Sequence, residues 1–262
     1  MLKMSCERIT SKSNPSVKLY QKLSSQKKER QRYGLFVLEG ERITEDALKA
    51  EAVRTLLMTE KAYEESRLRE LYDCPETLVI SDELARYISQ TETPQGVFAV
   101  CRMYERPPVI SDGGRYIVLY GLQDPGNMGT IIRTADALGI DGIYLCGCCD
   151  LYNPKTIRAT MGSVFRCRIG TAADDGELFS VLSGGNILTA ASVIDSGAEP
   201  VMSLTELPEN CRLAVFIGNE GRGLPEDIPV RCDMRITIPM HGNINSLNAA
   251  MAAGIIMWEM KK

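Results

Sequence analysis

Tyr116-Ile117-Val118-Leu119-Tyr120-Gly121-Leu122-Gln123-Asp124-Pro125-Gly126-Asn127-Met128-Gly129-Thr130-Ile131-Ile132-Arg133 decides the fold class. The apolar run 116–122 reads as a strand buried on both faces, which is how strands of parallel sheets read. Pro125-Gly126 makes a turn, and Asn127 can cap a helix that begins near Met128. On that helix Ile131, Ile132, Ala135 and Leu138 keep core spacing, while Thr130 and Arg133 share another face. A cation near the positive end of a helix is unfavourable, so Arg133 calls for an anion: a ligand, or a neighbouring carboxylate.

The same pattern of strand, glycine- or asparagine-rich loop and helix recurs downstream. Further β-rich runs lie at 142–146, 167–170, 187–192, 213–218 and 234–240, with helical patterns between most of them. The second loop, Gly218-Asn219-Glu220-Gly221-Arg222-Gly223-Leu224, has glycines that let backbone lie against a ligand. Its spacing matches neither a dinucleotide fingerprint nor a P-loop, and Glu220 suits a partner with hydroxyl or amine donors. The third, Ile238-Pro239-Met240-His241-Gly242-Asn243-Ile244-Asn245-Ser246-Leu247-Asn248, precedes a final helix that Asn245 or Ser246 can cap. Capping alone would explain those two residues. Three such loops at the carboxyl ends of strands mark the edge where open α/β sheets place ligands. The final helix carries Leu247, Ala250, Met251, Gly254, Ile255 and Trp258 at helical spacing, with Ala249, Ala252 and Ala253 elsewhere. That composition points to close burial, in a core or against a second subunit.

Toward the N-terminus the chain reads as a smaller α/β layer domain over 33–103. Runs at 35–38, 53–59, 78–80 and 96–103 alternate with helical stretches, one charged over 60–71 and one capped by Ser81. Residues 104–115 concentrate proline, glycine and small polar residues and read as a linker to a second domain, 116–262. Residues 1–32 read as a basic arm or helix. They hold nine Lys/Arg against two acids, a charge of +7, so the rest of this chain of net charge −4 carries −11. A second basic stretch, 151–170, holds Lys155, Arg158, Arg166 and Arg168 without an acid. Cations gathered in two places on an acidic chain suit a polyanion, although a solvated helix face would look the same.

With 262 residues, 44% hydrophobic and 24% charged, the chain is long enough for one large or two smaller cores. No apolar run reaches membrane-spanning length and no signal core opens it. Nine scattered cysteines read as reduced thiols, which points to the cytoplasm. Cys146-Gly147-Cys148-Cys149 has no matching second cluster, so a zinc site is not expected. His241 is the single histidine and there is no G-x-S-x-G elbow, so a Ser-His-Asp triad is not expected.

The three loops closely resemble the motifs of the SpoU (TrmH) family of RNA ribose 2′-O-methyltransferases, of the SPOUT class. Asn127-x-Gly129-x3-Arg133 resembles its first motif, 218–224 its second, and Ile238-Pro239-Met240 with Ser246-Leu247-Asn248 its third. The segments Asn153-Pro154-Lys155 and Arg158-Ala159-Thr160-Met161-Gly162-Ser163 are also similar. Glu39-Gly40 and Thr93-Pro94-Gln95-Gly96 carry a weaker match to the family's ribosomal-protein-like RNA-binding domain. The resemblance implies a mostly parallel C-terminal sheet with a deep trefoil knot, and a homodimer packed through the knot. It implies S-adenosylmethionine as cofactor, held by backbone at Gly218, Ile238 and Leu247 with Met240 and Ser246 nearby. It also implies Asn127, Arg133, Glu220, Ser246 and Asn248 as the catalytic set. Arginine stays protonated, so Arg133 reads better as a clamp on phosphate or oxyanion than as a base. Asn245 stands where the family commonly has Glu. Structured RNA is the implied substrate, rRNA rather than tRNA because of the separate N-terminal domain, contacted by Lys27, Lys28, Lys155, Arg158 and Arg166. The alternatives are a tRNA methyltransferase, an RNA-binding assembly factor that keeps the fold without the chemistry, and, last, a base-nitrogen methyltransferase.

Overall fold

The basic residues between positions 7 and 33 do not stand apart from the fold. In the computed structural model, which describes residues 7–68, 76–242 and 246–262, strand β1 (Glu7–Ile9) runs parallel to strand β4 (Glu76–Ile80). Helix α1 (Pro15–Ser25) is capped by Asn14 and buries Val17, Tyr20 and Leu23 at helical spacing. Helix α2 (Lys27–Tyr33) ends on Gly34 in the left-handed region. Of the arm or helix expected over 1–32, the described residues 7–32 form a strand and two helices, and an apolar stripe of three residues, masked in composition by the lysines around it, suffices to dock α1 in the core rather than leave it free. Strand β2 (Leu35–Glu39), helix α3 (Glu41–Lys49), strand β3 (Val53–Thr59) and helix α4 (Glu60–Glu65) follow. The expected charged helix over 60–71 stops at Glu65, and its last residues lie outside the described ones. Helix α5 (Asp82–Ile88), capped by Ser81 as expected, leads to strand β5 (Val97–Arg102). The sheet has the order β1-β4-β3-β5-β2, with β5 antiparallel to both of its neighbours.

The second sheet is all parallel and has seven strands. Its elements are β6 (Arg115–Tyr120), α6 (Pro125–Leu138), β7 (Gly142–Cys146), α7 (Pro154–Thr160), β8 (Ile169–Ala172), α8 (Asp175–Gly184), β9 (Leu188–Ser192), β10 (Glu199–Pro200), β11 (Leu213–Ile217), α9 (Asp227–Arg231), β12 (Met234–Thr237) and α10 (Ala249–Met260). The strand order is β10-β12-β9-β11-β6-β7-β8. From β6 the chain builds outward through β7 and β8, then crosses to the other side. The order thus reverses between β6 and β11, and the loops leaving those two strands emerge side by side.

One helix of the linear order belongs elsewhere. The chain divides into a unit up to Tyr104 that also takes Tyr152–Phe165, and a unit of Glu105–Leu151 with Arg166–Lys262. Phe36 packs on Tyr152 at 4.7 Å between ring centroids and on Phe165 at 6.2 Å. Thr156, Ile157 and Thr160 of α7 are buried. Within 116–262 the segment Tyr152–Phe165 thus groups with the first unit, which splits the second basic stretch: Lys155 and Arg158 lie in the first unit, Arg166 and Arg168 in the second. Among the described residues no helix is long and apolar enough to cross a membrane.

Candidate active site

The loop after β11 is built by Asn219. Its Oδ1 accepts the N–H groups of Gly221 and Arg222, both at 3.0 Å, and its Nδ2 donates to the Gly121 carbonyl at 2.9 Å. Asn219 and Gly223 also exchange backbone hydrogen bonds. Gly223 sits at φ +68°, and a Cβ on Gly218 would lie 2.4 Å from the Gly223 carbonyl carbon. These two glycines are required first by the loop's own closure, not by a ligand alone. Reading 218–224 for its glycines missed Asn219, although an asparagine followed by glycine two residues on is the sequence signature of such a turn.

That turn presents Glu220 to the loop after β6. The carboxylate accepts from Asp124 N at 2.9 Å, Gln123 N at 3.2 Å and Asn127 Nδ2 at 3.2 Å. Partial burial is the largest single influence on Glu220 and pushes its pKa up. The backbone donors and Asn127 together outweigh it and hold the pKa below the usual carboxylate value. Asp124 caps α6, accepting Asn127 N at 2.8 Å, so the expected capping role of Asn127 is corrected and its side chain is released for Glu220. The final helix is capped by Asn248, not by Asn245 or Ser246. Its Oδ1 accepts Ala250 N and Met251 N, and its Nδ2 donates to Asn127 Oδ1 at 3.0 Å. An acceptor-only carboxylate at one end and donor-only helix N–H groups at the other fix the orientation of both amides. Asn245 lies outside the described residues.

Beside this chain of bonds opens a cleft of about 420 Å³. Gly218, Ile238, Met240, Ser246 and Leu247, the five residues expected around a cofactor, all line it, as does Glu220. Ile194, Ile217, Ile236 and Ile256 supply apolar wall. Its volume falls in the range of small-molecule sites. Arg133 does not line the cleft. It is exposed on α6, and its guanidinium has no ion pair or hydrogen bond with the described residues. The neighbouring-carboxylate reading is thus not realised there. His241 is exposed outside the lining. Burial pushes the Cys148 thiol up to about 12. Burial, then Glu220 and Asp124, push that of Cys149 up to about 11, so both remain protonated.

The expected RNA-contacting cations fall into two groups. Lys27 and Lys28 on α2, and Lys155 and Arg158 on α7, are exposed on the first unit. Arg166 is in the second and pairs with Asp136 at 2.8 Å. In the basic N-terminal stretch several charges are already engaged: Lys12 with Glu83 at 3.3 Å, Arg32 with Glu29 at 3.8 Å, Arg8 with Glu60. Arg30 is only 3% exposed and donates to the Leu23 carbonyl at the end of α1.

Comparison with known proteins matches both units. The family model described as SpoU rRNA Methylase family covers residues 114–258, and the one described as MRM3-like substrate binding domain covers 14–99. The chain is 32% identical over 257 residues to the 23S rRNA (guanosine(2553)-2′-O)-methyltransferase RlmP of Bacillus subtilis, across 97% of this chain and 99% of that protein. Among solved structures, an AdoMet-bound rRNA methyltransferase from Sinorhizobium meliloti superposes with a TM-score of 0.86 at 30% identity, covering 97% of each chain. The SpoU methyltransferase AviRb from Streptomyces viridochromogenes, in complex with AdoMet, gives 0.84 at 29%, covering 94% of this chain and 97% of that one.

Proposed function

The chain belongs to the SpoU rRNA methylase family, and from that premise we propose that it transfers a methyl group from S-adenosylmethionine to a ribose 2′-hydroxyl of ribosomal RNA. The observation that carries this reading is the convergence of Gly218, Glu220, Ile238, Met240, Ser246 and Leu247 on one cleft. The names of the full-length relative and of the two solved neighbours support it.

The residues present fit the cofactor. The isoleucine walls suit the faces of an adenine, while Ser246 and Glu220 add a hydroxyl and an acceptor. When bound, S-adenosylmethionine supplies a sulfonium-activated methyl group. The protein must then orient the ribose hydroxyl and stabilise the charge that develops as its proton leaves. Glu220, ionised and held by four donors, is suited to orienting, as are Asn127 and Asn248 through the bonds that join them. Arg133 presents a planar guanidinium that no described residue engages, and serves as the clamp on phosphate or oxyanion.

A second copy of this chain covers the outer face of α10. The core side of that helix is Ala249, Ala253, Ile256, Met257 and Met260. Met251 and Trp258, two turns apart, are 63% and 55% exposed, and Leu247 before them is exposed as well. Helix α10 packs against α6, which carries Arg133, so this apolar face adjoins the catalytic helix. The family's trefoil knot would lie in this part of the chain. Lys27, Lys28, Lys155 and Arg158 give the first unit a cationic surface for the RNA backbone, in the cytoplasm where that RNA is found.

The test is methyl transfer from labelled S-adenosylmethionine to unmodified total RNA, sized and digested to nucleosides. Label as a 2′-O-methylnucleoside in the 23S band is expected. Label in tRNA would move the substrate class, and cofactor binding without label would mean an RNA-binding protein that has lost the chemistry.

A further inference from the structure

Arg158, an exposed cation on the first unit, is held by a neutral side-chain amide. Its Nη2 donates to Gln90 Oε1 at 3.0 Å, and the amide nitrogen of Gln90 in turn donates to Ser24 Oγ near the end of α1. Gln90 therefore spans from helix α1 to helix α7, joining the two basic stretches that are far apart in sequence. Gln90 is itself fixed from behind. Glu39 at the end of β2 accepts Gln90 N at 3.0 Å, Ser89 Oγ at 2.6 Å and Thr91 Oγ1 at 2.7 Å.

The chemistry of this arrangement differs from an ion pair. A carboxylate partner, such as Asp136 for Arg166, cancels the charge that it orients. A neutral amide orients a guanidinium and leaves its full charge for a phosphate. Glu39 lines the same small pocket as Arg158, and its two oxygens are engaged by three donors of the 89–91 loop rather than by the guanidinium. Freezing a long side chain in advance removes an ordering cost that binding would otherwise carry.

We propose that Gln90 is a positioning residue for RNA binding, holding Arg158 aimed and uncancelled, with Glu39 as the clamp that fixes Gln90. The inference rests on the reading that Arg158 contacts RNA. It gives the Glu39-Gly40 motif of the N-terminal unit a role: a carboxylate that orders the loop over residues 89–91.

The experiment is a double-mutant cycle on the full chain, with binding to an unmodified 23S rRNA transcript measured across salt concentrations. Arg158→Ala is expected to weaken binding about threefold to tenfold and to reduce the salt slope by about one. Gln90→Ala is expected to weaken it in the same direction by less, to leave S-adenosylmethionine affinity unchanged, and to do nothing further in the Arg158→Ala background. Arg158→Lys, which keeps charge but not the planar donor fork, should reproduce the loss of Gln90→Ala without touching the 89–91 loop. Equal losses from Gln90→Ala in both backgrounds, or no loss from it alone, would overturn the positioning role while leaving Arg158 as an RNA contact. No effect of Arg158→Ala would remove both, and the methyl-transfer assay would still stand as the separate test of the activity.

Discussion

The amide of Asn248 caps the last helix with its oxygen and, 3.0 Å away, donates its nitrogen to Asn127 at the start of the first helix of the parallel-sheet unit. One side chain thus does a structural and a site-building task with different atoms, which makes the two separable. Asn248→Asp retains the cap, since aspartate and asparagine cap about equally well. It loses the donor to Asn127 and places a second carboxylate on a chain that ends in Glu220. The expected outcome is a melting temperature near that of the parent with kcat for methyl transfer lowered at least about tenfold. Equal activity in both proteins would reduce Asn248 to a cap.

Arg133→Ala removes an exposed cation with no described partner, so the fold loses little. If the guanidinium stabilises developing negative charge, kcat should fall by about 10² to 10³ while the cofactor dissociation constant stays within about twofold. Calorimetric titration with S-adenosylmethionine beside steady-state kinetics separates the two. A large loss of cofactor affinity would mean that Arg133 shapes the cleft instead.

Glu220 gives a pH prediction with a definite sign. Its folded-state pKa lies below the ordinary carboxylate value, because donated hydrogen bonds outweigh partial burial. Its contribution to stability is therefore fully present above the ordinary value and is lost as pH falls through the lower, folded one. The melting-temperature difference between the parent and Glu220→Gln should be constant near neutrality and shrink on acidification below the usual carboxylate range. A difference that grows there would reverse the assignment.

The outer face of α10 predicts self-association. Met251→Glu together with Trp258→Glu places charge where a second copy would pack, so sedimentation should shift from dimer to monomer. The core side of the helix is untouched, and the melting curve of the isolated chain should remain cooperative. A parent protein that sediments as a monomer would refute this interface.

Local pattern carried much of the reading. Apolar runs bounded by glycine and asparagine announced the parallel strands, because strands buried on both faces need no polar alternation and their loops need special backbone. The second and third loops also held much of the cleft lining, and the first held Asn127, which bonds to Glu220 beside it. Where the reading failed, the missing information was the identity of a distant partner. Charge alone leaves residues 1–32 an arm or a helix, whereas Val17, Tyr20 and Leu23 form a buried stripe and Arg30 is consumed by a helix end. Sequence order puts the segment around α7 with the parallel sheet, whereas Phe36 packs on Tyr152 and Phe165 within the first unit.

The sequence by itself determined the class of fold, the sheet edge that bears the site and the family, since each depends on residue types at fixed spacing along the chain. That Arg133 has no partner among the described residues, that Asn248 is the cap, and which face of the last helix is left outward follow only from the packed chain. Those depend on strand order. The reversal between β6 and β11 brings Glu220 to Asn127 across 93 residues of sequence, and hydrogen-bond partnership at such separation leaves no local pattern to read.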